Sequence, residues 1–476
     1  MSTDTGPVPD KPSAREAAGK QARTRAPRSS HGDWRPAEDR PDPIEVLLEQ
    51  AKGRVPELLG LRYGRMLVSP FSFFRGAAAI MAGDLAGTPA SGLDVQLCGD
   101  AHLSNFGTFS TPERELVFDI SDFDETLGGP WEWDVKRLAA SIVIAGRDLG
   151  FDAKPIAAAV LEAVASYRKA MNTFASRSNL ESWYAHLPVD RIDRMFEGGI
   201  DIKRFRTLER ELEKARSNTS VKALGKLTQT TRGEVRFLSK PPLLVPVAEL
   251  LGDAGRAGAD EDLRALLADY RESLPDSRRT LLDGYRYADM ARKVVGVGSV
   301  GMRVWVVLFH GRDRSDPLLL QAKEATASVL EPHLPPAPTL AGHAARVVRG
   351  QELMQDTSDI FLGWTSARGP QDSRRGVKRQ YYLRQAVDGK GAVDISLLLP
   401  AGLAAYGRLC AWTLARAHAR SGDRLAISGY LGRSATFDRA IAAFAERYAD
   451  QNEADYKALR QAVSSGRVSA AKEESS

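Results

Sequence analysis

The run Gly296-Val297-Gly298-Ser299-Val300-Gly301 constrains this chain most, because of what comes after it. Alone, Gly-x-Gly-x-x-Gly is a weak signal, shared by dinucleotide-binding folds, other phosphate-cradling loops and tight turns. A dinucleotide fold needs a helix to begin at the last glycine, so that its N-terminus faces the pyrophosphate. Here Arg303 leads into Val304-Trp305-Val306-Val307-Leu308-Phe309, β-branched and aromatic residues that predict a strand. The run is therefore expected to be a hairpin between two strands, with the backbone of Gly296, Gly298, Ser299 and Gly301 laid over the phosphates of a nucleotide. A polar turn through Gly311-Arg312-Asp313 precedes Leu318-Leu319-Leu320-Gln321-Ala322-Lys323. On that second strand an inward Lys323 can pair with α- and β-phosphates. A solvated edge lysine that discourages strand pairing is the plain structural alternative.

An acidic cluster stands earlier in the chain. Cys98-Gly99-Asp100-Ala101-His102-Leu103-Ser104-Asn105 follows a predicted strand over 93–97 and precedes Val117-Phe118-Asp119-Ile120-Ser121-Asp122-Phe123-Asp124-Glu125. A loop leaving a strand can aim Asp100 at a substrate hydroxyl and accept its proton. Five residues on, the chain has turned back, and the Asn105 oxygen can reach a cation beside it. Phosphoryl transfer uses that combination. Magnesium takes hard oxygen ligands, and Asp122 or Asp124, beyond the next hairpin, supplies them. Asp119, Asp122 and Asp124 repel one another unless cations compensate, which is the main compositional reason to expect a metal. Read structurally instead, Asp100 caps a turn, Asn105 holds a left-handed backbone position and His102 is a hydrogen-bonded loop histidine.

The loop Gly99-Asp100-Ala101-His102-Leu103-Ser104-Asn105 resembles the His-Gly-Asp-x-His-x-x-Asn loop of aminoglycoside- and choline-kinase-like enzymes. Cys98 stands where their first histidine usually sits, which removes a loop brace but no chemical group. Ile120-Ser121-Asp122-Phe123-Asp124 resembles their metal-aspartate segment, and Trp133-Asp134-Val135-Lys136-Arg137-Leu138-Ala139 their later helix start. The resemblance implies Asp100 as catalytic base, Asn105 and Asp122 as Mg2+ ligands and Asp134 as a carboxylate bracing the loop. In kinases the glycine loop and lysine come first and the Asp…Asn loop second; here the order is reversed. The predicted helix over 403–420, ending Leu414-Ala415-Arg416-Ala417-His418, is similar to the one that normally precedes the catalytic loop. The implied fold is α+β, protein-kinase-like and bilobal, circularly permuted, with a helical insertion. It requires the end of the 403–420 helix to touch the 93–97 strand. Kinase lysines pair with a helix glutamate, and Glu352 is chosen over Glu324 and Glu331, which lie nearer in sequence. Gln380-Tyr381-Tyr382-Leu383-Arg384 would lead into the adenine hinge. From residue 62 to about 460 the chain also resembles a bacterial family, domain of unknown function 2252, through Ser69-Pro70-Phe71-Ser72-Phe73-Phe74-Arg75-Gly76 and Lys293-Val294-Val295-Gly296 onward. That family brings no established reaction.

At 476 residues the chain has room for two or three ordinary domains. Residues 1–41 are polar and proline-rich and are expected to be a disordered basic tail. Lys11, Arg15, Lys20, Arg23, Arg25 and Arg28 against Glu16 supply the formal charge of +5. No aromatic residues interleave with them, so nucleic acid is not an expected partner. Residues 42–151 are read as the catalytic-loop half of the larger lobe, 152–290 as a mostly helical insertion and 291–395 as the glycine-loop β-rich lobe. Residues 396–463 are read as helices completing the larger lobe and 464–476 as a disordered tail. Cys98 and Cys410 read as reduced, buried thiols. No apolar run reaches the ~18 residues of a membrane span, and no apolar leader core opens the chain. No membrane partner is expected, and the cytoplasm is the default compartment. The expected function is ATP- and Mg2+-dependent transfer of a phosphoryl group to a hydroxyl of a small-molecule acceptor, with Arg65 and Arg75 as secondary anion contacts. The main alternative is a nucleotide-binding, pseudokinase-like regulator without turnover. A scaffold holding a structural cation and a dinucleotide oxidoreductase stand further back.

Overall fold

The computed structural model describes residues 11–191, 220–231, 234–336, 341–368, 378–386 and 391–471. Its strands in chain order are β1 (Asp94–Leu97), β2 (Phe106–Ser110), β3 (Leu116–Ile120), β4 (Leu127–Pro130), β5 (Thr228–Thr231), β6 (Glu234–Phe237), β7 (Leu244–Pro246), β8 (Arg286–Lys293), β9 (Val304–His310), β10 (Pro317–Ala325), β11 (Gly363–Arg368), β12 (Lys378–Gln385) and β13 (Gly391–Ala392). The two apolar runs of the second half become the central strands of a six-stranded sheet, ordered β11-β12-β10-β9-β8-β7 and antiparallel throughout. Side chains alternate across a strand, and both faces here are covered. Trp305, Val307, Phe309, Leu318, Leu320 and Ala322 pack into one cluster with residues of the helix Val247–Ser273. Val306, Leu308 and Leu319 pack into another on the opposite face. This two-sided burial explains why β9 reads as a continuous apolar run. It also fixes Lys323, which shares the Leu319–Gln321 side of β10.

The second body of structure is helical. The helices Glu132–Asp148, Ala153–Ser176, Pro400–Ser421 and Thr436–Ser464 pack together around Trp131, Leu138, Ile142, Tyr167, Leu409, Leu414 and Phe444. The hairpin β2–β3, extended by β13, and the ladder β1–β4 carry the acidic motifs on one side of this core. The architecture is mixed, α+β, with helices and antiparallel sheets. Among the described residues no helix is long and apolar enough to cross a membrane.

Several sequence expectations change. The glycine run joins β8 to β9 as expected, and no helix follows Gly301, which removes the dinucleotide alternative. The stretch 152–290 is not one insertion: Ala153–Ser176 lies in the helical core against Pro400–Ser421, while β7 and β8 belong to the large sheet. Residues 11–41, read as a disordered tail, contain the helix Pro12–Ala22, which packs on the helix Arg424–Leu431. Their cations find partners that composition does not display. Arg23 donates to the carbonyls of Gly429 and Tyr430, and Arg28 to that of Leu431, the free carbonyls of a helix end. The start of the other tail also docks: Val468 is buried and the Ala471 amide donates to the Gly60 carbonyl. Residues 1–10 and 472–476 lie outside the described residues.

Candidate active site

Asp134, Arg137 and Ser141 are spaced i, i+3, i+7 along the helix Glu132–Asp148 and so share one face. All three hold the Cys98–Asn105 loop. Asp134 accepts the amides of Cys98 (2.7 Å) and Gly99 (3.0 Å), the bracing expected of it. Ser141 accepts the Leu103 amide at 3.2 Å. Arg137 donates Nε to Asp100 Oδ1 at 2.7 Å and Nη2 to the Phe74 carbonyl at 2.9 Å. Asp134 is fixed in turn by His418 Nε2 at 3.2 Å, and His418 Nδ1 meets the Tyr167 hydroxyl at 2.8 Å. A buried relay thus runs from the helix Pro400–Ser421 to the loop. The same helix end touches β1, where the Gln96 amide donates to Ser421 Oγ at 3.1 Å.

Asp100 faces a cavity with its charge anchored to Arg137. Burial raises its carboxyl above the usual range, and Arg137 opposes that shift. His102 is pushed well below the ordinary imidazole range by burial and by Arg137 and Arg75, so it stays neutral. Asn105 donates Nδ2 to the Asp100 carbonyl at 2.7 Å.

Lys323 is buried and lies between two carboxylates: 3.4 Å from Asp122 Oδ2, and in contact with Asp124. Tyr382, directly across the β10–β12 pair, donates its hydroxyl to Asp124 Oδ1 at 2.7 Å. Burial alone would strip the lysine, but Asp122 and Asp124 outweigh it and hold the ammonium charged. Burial also raises Asp122, but Lys323 and Arg384 prevail and keep it below the usual carboxylate range. Asp119 is taken by Arg416, at 2.6 and 2.7 Å. The crowded aspartates are therefore compensated by Arg416 and Lys323, and repulsion among them no longer calls for a metal. The donors still suit one. Asp122 and Asn105 both line the cavity, and magnesium needs only one or two protein oxygens when substrate phosphates and water supply the rest. Among the described residues no group of three His, Cys, Asp or Glu side chains is placed to hold an ion unaided. Asp124, the third expected ligand, is instead engaged by Lys323 and Tyr382.

Glu352 does not meet Lys323. On the helix His343–Met354 the cavity-facing residue is Gln351, which bonds Gln355 at 2.8 Å. One residue further, about 100° around the helix, Glu352 has turned away, and the charge that acts on it is Arg349. Glu324 pairs with Arg303 and Arg379, and Glu331 with His343 and Arg346. The lysine's carboxylates come from the acidic loop, not from a helix.

The glycine run closes the site. Gly296 and Gly301 have φ of +61° and +87°, a region that favours glycine. The loop is gripped from the other side: Arg54 Nη1 donates to the carbonyls of Gly298 (2.7 Å) and Val300 (2.5 Å), Arg65 to that of Gly296 (2.6 Å), and the Val55 amide to that of Gly301 (2.7 Å). Val297 and Val300 are buried among the helices of residues 43–76.

Between the glycine run, β10 and the acidic loop lies a cavity of about 670 Å³, lined by Lys323, Gln321, Asn105, Asp122, Gly296, Ser299 and the inter-sheet connection at Gln385, Ala386 and Gly391. Its size suits a small-molecule ligand. A smaller compartment of about 90 Å³ continues from it, lined by Asp100, His102, Asp124, Glu125, Gly298 and Arg54. The structure thus gathers Asp100, Asn105, Asp122, Asp124, Lys323, Gly296, Gly298 and Ser299 around one space. Gly301 shapes the loop, and Glu352 is excluded. Sequence reading missed Arg137, although its i+3 spacing from Asp134 was available. It also missed Arg54 and Arg346, which brace backbone carbonyls and leave no pattern. No curated protein and no solved structure is significantly similar to the chain. One family model matches, over residues 54–462, under the description "uncharacterized protein conserved in bacteria", and the chain belongs to that family, DUF2252.

Proposed function

We propose that this protein is an ATP- and Mg2+-dependent phosphotransferase acting on a hydroxyl of a small molecule, built on a circularly permuted kinase-like fold. One observation carries the reading. Lys323, on β10, stands against Asp122 and Asp124 in the large cavity that Asn105 also lines, and Asp100 lines the small compartment that continues from it. The contact of the helix Pro400–Ser421 with β1, through Ser421 and Gln96, supports the permuted order. Lys323 would bind the triphosphate, and the glycine hairpin would cover it. Gln385 and Ala386, at the end of β12, would meet the base. Asn105 and Asp122 would hold Mg2+, which, when bound, neutralises charge on the terminal phosphates. Asp100, kept in place by Arg137, would orient the acceptor hydroxyl and accept its proton.

Thermal melts with ATP and Mg2+ test the binding half. A ligand at 100 times its Kd adds about 2.7 kcal/mol, an upward shift expected for the wild type and lost in both Asp122→Asn and Lys323→Met. Equal shifts in all three proteins would remove the residue assignments. Labelled ATP then reports turnover. A second reading, nucleotide binding without transfer, draws on Lys323 being closed onto Asp122 and Asp124 with no helix glutamate to hold it open. Binding with no labelled product selects it.

A further inference from the structure

The large cavity and the small compartment share Arg75, Asn105, Asp122, Gly296 and Ser299 in their walls. Arg75 is the only cation among them. Three neighbouring cations are committed: Arg54 to the carbonyls of Gly298 and Val300, Arg137 to Asp100 and Phe74, and Lys323 to Asp122 and Asp124; Lys293 lines the large cavity but not the small compartment. Arg75 closes the helix Pro70–Gly76. Among the described residues it makes no ion pair within 4 Å, and its Nε is buried without a hydrogen-bond partner. A buried guanidinium nitrogen left unpaired costs free energy, and an anion bound there recovers it.

We propose that Arg75 is the catalytic arginine that holds the phosphoryl group as it passes from the large cavity to the small compartment. This rests on the phosphotransferase reading above and adds a residue to it. With the triphosphate beside Lys323 and the acceptor hydroxyl beside Asp100, the transferred group must cross the junction that Arg75 lines. The acceptor oxygen forms a bond to the γ-phosphorus. The bond from that phosphorus to the bridging oxygen breaks, its electron pair leaves with ADP, and the hydroxyl proton goes to the Asp100 carboxylate. Charge builds on the three equatorial oxygens during transfer, and a fixed guanidinium binds them more strongly then than in either ground state.

The test uses the full-length protein, Mg2+, ADP, and ADP with aluminium fluoride as a mimic of the group in flight. Wild type is expected to bind the mimic at least tenfold tighter than ADP. Arg75→Gln should abolish that preference while keeping ADP affinity within threefold, and Arg75→Lys should restore part of it. Apo melts of both variants check folding, and the lysine variant carries the comparison if the glutamine variant melts early. Full preference in the variants overturns the proposal, as does an equal loss of ADP and mimic affinity, which marks an ordinary phosphate contact. Wild type that binds ADP with no preference for the mimic also overturns it, leaving nucleotide binding intact. Wild type that binds neither ADP nor ATP removes the phosphotransferase reading and this proposal together.

Discussion

Gly99 shows how tightly single residues define the site. Its φ is +85°, and a Cβ there would stand 2.3 Å from the Glu125 carbonyl oxygen, far inside van der Waals contact. The obstruction is backbone held by its own partners, so it cannot swing aside. Gly99→Ala is expected to cost roughly 2–4 kcal/mol, read as a lower midpoint in urea; an unchanged midpoint would show that the loop can relax. Glu125 itself sets a pH dependence. Burial raises its carboxyl to about 7, against the pull of the Val329 amide and Arg346. The folded protein therefore keeps a proton that the unfolded chain releases above the ordinary 4.5. That stabilisation is complete below 4.5 and is lost as pH rises through 7, where a charge must be buried. Glu125→Gln keeps an oxygen for the Val329 amide and removes the charge. Its stability should match wild type near pH 5 and exceed it at pH 8.5 by roughly 1–3 kcal/mol. A gap of the same size at both pH values would sink this account.

At the scale of elements, the parts legible in the sequence were those whose signal is local. The strand after Gly301 was readable because β9 is buried on both faces and therefore apolar from Val304 through Phe309. The inward direction of Lys323 follows from its period with Leu319 and Gln321 on β10. The bracing by Asp134 came through family resemblance. Glu352 failed because a helix position one residue off points elsewhere, and only the packing of His343–Met354 sets which residue faces the cavity. The grip on the glycine hairpin was invisible for a different reason: Arg54 and Arg65 bind carbonyl oxygens, and every residue carries one. That grip has a consequence. A hairpin whose carbonyls are held by arginines should be far less mobile than a free glycine flap. Arg54→Ala is expected to increase amide hydrogen exchange across 296–301 while leaving β9 and β10 protected. Exchange unchanged in the hairpin would mean that the burial of Val297 and Val300 suffices to hold it.

Over the whole molecule, the N-terminal segment acts as a strap, which its composition gave no reason to expect. Polar, proline-rich sequence lowers the apolar area a segment can bury, but it says nothing about where its few anchors land. Trp34 reaches the main core against Phe444 and Tyr448. Arg15 pairs with Asp423, at the start of the helix that Arg23 and Arg28 cap at its other end. Arg40 is the strongest anchor, bonding Asp84 at 2.6 and 2.9 Å and Asp455 at 2.6 and 2.9 Å, with all three side chains largely buried. It joins the helix Ala78–Ala86, just ahead of the acidic loop, to the C-terminal helix Thr436–Ser464. Neutralising Arg40 leaves two buried carboxylates facing one another, a loss that costs about 3–5 kcal/mol when a buried partner is removed. Arg40→Ala should therefore destabilise the protein by that order in urea at neutral pH. Deleting residues 1–41 should match the Arg40→Ala penalty and add faster hydrogen exchange at the end of Arg424–Leu431, whose carbonyls lose their caps. A deletion as stable as the full chain would show that the strap rests on the surface without holding it, and that these arginines contribute no more than exposed ion pairs do.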